Sequence, residues 1–105
     1  MANEGLGNFE ELVMLGVLRL GDQAYGMAVR RELEEVAGRE ASIGAVYSTL
    51  DRLESKGLVA STRARESGAK RHFAVTAEGR RALAETRHVR ELLWSGVRVV
   101  SDVAG

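Results

Sequence analysis

Two histidines, His72 and His88, and no cysteine are all that the chain offers to metal or thiol chemistry. The histidines fall in different segments, and neither has a second imidazole at ligand spacing. The glycines form neither a Walker loop nor a dinucleotide fingerprint. These absences argue against an enzyme and against a metal-sensing regulator, and no cofactor is expected. The residues that do suit a defined chemistry are short, polar and cationic. In SIGAVYSTLDRLESKGLV (42–59), Ile43, Val46, Leu50 and Leu53 are spaced 3, 4 and 3 apart. They mark the inner side of a helix, so Ala45, Ser48, Thr49, Arg52 and Lys56 are expected on the outer side, with Gly44 and Tyr47 on its flanks. Small residues near a helix start let the backbone approach base edges, and an arginine beyond them can reach guanine or phosphate. Arg63, Arg65, Lys70 and Arg71 follow in one short ribbon and supply sequence-independent attraction to phosphate. Each feature alone has a plain explanation, a solvated helix surface or a strand edge guarded by charge. Their adjacency favours double-stranded DNA as the partner.

The elements that must position these residues are legible from periodicity and punctuation. Asn8 is placed to cap a first helix, with Glu11 completing a capping box. Phe9 to Leu20 is apolar nearly all round and is therefore expected to be buried by its own domain or a partner. Gly21 and Asp22 break it. A second helix is predicted from about Tyr25 to Ala37, with Val29, Leu33 and Val36 inward and Gly38 as its left-handed end. Ser42 caps the third helix, and Gly57 closes it. Two strands follow, about Leu58–Arg65 and Lys70–Val75, with a turn at Ser67 and Gly68. Thr76 caps a last helix in which Ala82, Thr86, Val89, Leu93, Gly96, Val100 and Val103 recur at alternating spacings of 4 and 3. That is a heptad seam. Running from Ala77 to Val103, it would extend about 40 Å at about 1.5 Å per residue, too long for its own small domain to cover.

The order H-H-H-β-β-H reads as an α+β, mainly α chain: a winged helix-turn-helix domain over 1–76 and a dimerisation helix over 77–105. Its 105 residues, 45% hydrophobic, suffice for one modest core. Fifteen basic and fifteen acidic groups cancel, yet residues 52–72 hold six of the basic groups against two acidic ones. Positive charge is concentrated where the hairpin is expected. There is no basic, then apolar, leader at the start, and no run reaches the ~18 apolar residues of a membrane span. A cytoplasmic protein without a membrane partner is therefore expected. A winged helix used only for protein contact, working through its apolar first and last helices, is the alternative function.

The segments FEELVMLGVLRLGDQAYGMAVRREL (9–33), SIGAVYSTLDRLESKGLV (42–59) and RHFAVTAEGRRAL (71–83) resemble the PadR family of bacterial transcriptional regulators. Tyr47 followed by Leu50, Leu53, Gly57 and Leu58 is the most specific part. Many members carry proline after that tyrosine, where this chain has Ser48. The resemblance implies a homodimer that represses a promoter until an effector binds; the DNA contacts expected from the helix face and the hairpin are Tyr25, Ser42, Gly44, Ala45, Tyr47, Ser48, Thr49, Arg52 and the hairpin cations. The resemblance also implies a joint mainly through the last helix, here Val89, Leu93, Val97 and Val100, often with help from the first. Some members hold flat aromatic drugs between tryptophans of the two last helices, so Trp94 either stacks a small aromatic or drug-like effector or packs the joint. Met14 either lines the same cavity or belongs to the core. Tyr25 either donates to a phosphate or anchors the second helix.

Overall fold

The computed structural model of the chain describes residues 6–63 and 70–98. Helix α1 spans Asn8–Leu20. Its cap is Gly7 rather than Asn8, and its box partner is Glu10 rather than Glu11: the Glu10 carboxylate accepts the Gly7 backbone N–H at 2.9 Å. Val13, Met14 and Val17 are buried on one side of α1. Helix α2 spans Gly26–Ala37 and ends at Gly38, whose φ of 64° is one that glycine adopts without steric cost. Val29 and Leu33 are buried, whereas Val36, expected inside, is 55% exposed. It lies with Leu12 and Leu15 along an apolar groove between α1 and α2.

Helix α3 spans Ile43–Ser55, and the Ser42 hydroxyl accepts the Ala45 N–H at 3.0 Å, as its cap position predicts. Val46, Leu50 and Leu53 are fully buried. Strands β1 (Val59–Arg63) and β2 (Arg71–Val75) pair antiparallel from Val59 opposite Val75 to Arg63 opposite Arg71. Arg65 and the expected turn at Ser67 and Gly68 lie outside the described residues. The sheet has an addition that the periodicity does not reveal. Phe73 donates its N–H to the Ala24 carbonyl, and Tyr25 bridges to His72, so the approach to α2 is stitched onto β2.

Helix α4 spans Ala77–Trp94, with the Thr76 hydroxyl accepting the Gly79 N–H. Its 18 residues extend about 27 Å at about 1.5 Å per residue. It is shorter than expected because Gly96 turns to a φ of 79° just beyond the Ser95 cap. Val97 therefore lies outside the helix, and Val100 and Val103 lie outside the described residues. The start of α4 sits on the hairpin through Gly79 and Leu83. Further along, Arg90 meets Glu11 of α1 at 2.8 Å.

Gly79 makes that seat possible. A Cβ there would run into the Leu58 carbonyl oxygen and approach Val75 Cγ1 to 2.7 Å and Met14 Cε to 3.0 Å. Alanine gains about 1 kcal/mol of helix propensity over glycine, but overpacking against backbone costs about 1–3 kcal/mol or more. Gly79→Ala is expected to lower the melting temperature; an increase in thermal melting would mean that α4 does not approach the hairpin this closely.

Candidate nucleic-acid interface

The outward side of α3 carries Gly44, Ala45 and Ser48, all exposed, and Ser42 is exposed at its start. Core packing by Val46, Leu50 and Leu53 fixes that orientation. Thr49 departs from expectation. It is only 2% exposed, because it lies three residues after Val46 and four before Leu53, on the edge of the buried stripe. Its hydroxyl accepts from Arg52 at 3.4 Å, so it supports the face from beneath rather than forming it.

Tyr47 is half-buried and flanks this face. Its ring occupies the space where a Cβ on Gly26 would stand, so α3 and the start of α2 meet closely there. Tyr47 also shares a cleft with Gln23, Tyr25, Arg31, Lys70 and Arg71, which brings the flank of α3, the approach to α2 and the base of the hairpin to one place. Tyr25 packs on the wing: its ring centroid lies 4.3 Å from that of His72, and Lys70 Nζ sits 4.8 Å from its own. His72 thus has a packing role, and His88 is exposed on α4.

The cations divide into two groups. Lys70 and Arg63 are exposed on the hairpin. Arg71 turns inward, contrary to a phosphate-facing placement: its guanidinium meets Asp51 at 3.2 Å and Glu54 at 2.9 Å, both on α3, and donates to Ser61 at 3.3 Å. This locks the hairpin to α3 and offsets two carboxylates beside the exposed face of that helix. It also relieves the opposition of Arg63 and Arg71 across the strands.

Arg52 and Lys56, expected to face outward, converge on Glu10 of α1, at 3.2 Å and 2.9 Å. The Glu10 side chain is 8% exposed, whereas the two cations keep 53% and 39% of theirs. Burial by itself would raise the Glu10 carboxyl, but the Gly7 N–H, Lys56 and Arg52 outweigh it and hold it below the usual carboxylate range. A depressed carboxylate stabilises the fold at neutral pH and loses that contribution as acid protonates it. Sequence reading missed Glu10, although the signal was present. It precedes Val13, Met14 and Val17 by 3, 4 and 7, which is the phase of the buried stripe of α1.

Away from α3, Val89, Leu92, Leu93 and Trp94 are 44–72% exposed along the second half of α4, and Val97 beyond it is 55% exposed. Met14 is fully buried in the core beneath α4, not at a cavity beside Trp94, because its phase on α1 matches Val13 and Val17. No described residues group three or more His, Asp or Glu as a metal site, and no described helix is long and apolar enough to cross a membrane.

Three helices, a two-stranded wing and a short-side-chain helix face beside it define a winged helix-turn-helix protein of the DNA-binding class. The profile of the transcriptional regulator PadR-like family matches residues 14–85, and the chain belongs to that family, whose members are transcriptional regulators rather than enzymes. A PadR family transcriptional regulator from Eggerthella lenta is 32% identical, with 81% of this chain and 76% of that one covered at a TM-score of 0.67. RosR of H. salinarum is 29% identical, covering 90% of this chain and 83% of that one at 0.70. A PadR family regulator from Clostridium difficile shares the fold at 23% identity, covering 93% of this chain and all of that one at 0.68. Comparison with curated proteins returns no match.

Proposed function

We propose that this PadR-family regulator binds double-stranded DNA as a homodimer at an inverted-repeat operator in the cytoplasm and represses transcription there. In this reading residues 1–76 hold the DNA and residues 77–105 join the two copies. The observation that carries it is the exposed Gly44, Ala45 and Ser48 face of α3 standing beside a hairpin that presents Arg63 and Lys70. Ser42 and Ala45 mark the α3 end that enters the major groove, Tyr47 and Tyr25 flank it, and the wing follows the backbone. Arg65 is proposed as a further wing contact, while Arg71 contributes by fixing the wing to α3.

Dimerisation is supported by the exposed apolar run of Val89, Leu92, Leu93 and Trp94, with Leu15 of α1 40% exposed. A pair of copies would present two α3 helices to half-sites about 34–36 Å apart. Trp94 is proposed to lie at that joint, where its indole face can also stack a planar aromatic effector. Such an effector releases DNA only by preferring one spacing of the two α3 helices over another.

Fluorescence-anisotropy titration with DNA from the protein's own upstream region, repeated across salt concentrations, tests the reading. The logarithm of the affinity is expected to fall by about 0.9 for each neutralised phosphate per logarithmic unit of salt. Absence of binding at low salt would instead favour a winged helix devoted to protein contact.

A further inference from the structure

We propose that Glu10 is a specificity-determining residue of α3: it takes up one of the two positive charges on the C-terminal half of that helix and so limits indiscriminate attraction to phosphate. The inference rests on the DNA reading above. Glu10 and Thr49 are the only buried polar side chains among the described residues that the core takes in, and Glu10 alone of the two is charged. Its place is set by α1, where Val13, Met14 and Val17 share its phase and where its other oxygen holds the Gly7 N–H. It cannot swing into solvent without giving up the helix cap. Arg52 and Lys56 share the remaining oxygen, Oε2, at 3.2 Å and 2.9 Å. Two cations therefore face one fixed anion, which leaves the pair only one phosphate to neutralise between them.

The positions of the two cations matter as much as their number. Gly44, Ala45 and Ser48 occupy the first half of α3, and Arg52 and Lys56 the end of it and just beyond. Cations at that end meet phosphates at the edge of the groove rather than bases, so they add affinity for any sequence. A carboxylate that holds them back lowers binding to every duplex and leaves the contacts of the first half to decide among sequences. The same contact keeps α3 at a fixed angle to α1, which makes Glu10 a positioning residue as well.

The test is the salt dependence of binding to a duplex of mixed sequence, measured by anisotropy. Glu10→Gln keeps the volume and the acceptor for Gly7 and removes the charge. It is expected to steepen the slope of log affinity against log salt by about 0.9, one further phosphate, and to raise mixed-sequence affinity several-fold. Glu35→Gln removes the same charge from the exposed surface of α2 and should leave the slope unchanged. Replacing Arg52 and Lys56 by Met in the Glu10→Gln protein should abolish the steepening. An arm independent of the Glu10 variant uses the native carboxylate: Arg52→Met and Lys56→Met should each flatten the slope by about 0.9, and both together by no more than one of them. An unchanged slope in a Glu10→Gln protein that melts as a folded chain overturns the inference, as does an additive loss of about 1.8 in the double variant. Failure of the unaltered protein to bind any duplex overturns the DNA reading itself, and this inference with it.

Discussion

Leu93→Glu is expected to convert the proposed dimer to monomer. Leu93 is 72% exposed on α4, an apolar side chain left in water that a partner surface would cover, and Val89, Leu92 and Trp94 surround it on the same half of the helix. A carboxylate placed in an apolar joint without a cation costs about 3–5 kcal/mol, and a two-fold joint meets that cost twice. Dissociation should therefore strengthen by roughly 10⁴-fold or more, since each 1.4 kcal/mol is tenfold. Sedimentation velocity reads it directly. The monomer fold should survive, because α4 is held to its own domain by Gly79, Leu83 and the Arg90–Glu11 pair rather than by Leu93. A variant that sediments as a stable dimer would place the joint elsewhere, with the groove of Leu12, Leu15 and Val36 as the next surface to examine.

The second large effect is expected at the reading face. Ser48→Glu adds a carboxylate at an exposed position of α3, on the side turned away from Val46, Leu50 and Leu53. In a groove lined by phosphates it replaces a small hydroxyl with a charge of the wrong sign, and one mismatched contact alone costs about 1–3 kcal/mol. With two copies per operator, affinity should fall by roughly 30-fold to 10⁴-fold, with melting unchanged because Ser48 has no part in the core. Affinity retained in a folded variant would show that α3 does not enter the groove by this face. Paired with Leu93→Glu, the result separates the two halves of the proposal: one variant loses assembly, the other loses DNA while remaining assembled.

Much of the architecture follows from local pattern. The capped start of α3 at Ser42, the left-handed end of α2 at Gly38 and the pairing of Val59–Arg63 with Arg71–Val75 depend on residues near one another in the chain, and each appears where spacing and glycine placement put it. The helix ends were less well marked. Gly7 and Glu10 form the α1 cap in place of Asn8 and Glu11, and α4 stops at Trp94 although the 4-and-3 spacing of apolar residues continues through Val103. A periodic stripe records which side of a helix is apolar and is silent about a single glycine such as Gly96 that ends the backbone hydrogen bonding.

Residue types and their order thus account for the class of fold, for the short-side-chain outer face of α3 and for its cationic neighbour, because helix phase and strand alternation are local properties. That Arg52, Lys56 and Arg71 turn to carboxylates was settled by contacts between segments far apart in the chain. Arg71 is turned to Asp51 and Glu54, and Arg52 and Lys56 to Glu10. A charged side chain long enough to reach several partners has no preferred direction of its own; packing of α1 and β2 against α3 supplied the carboxylates and so chose it.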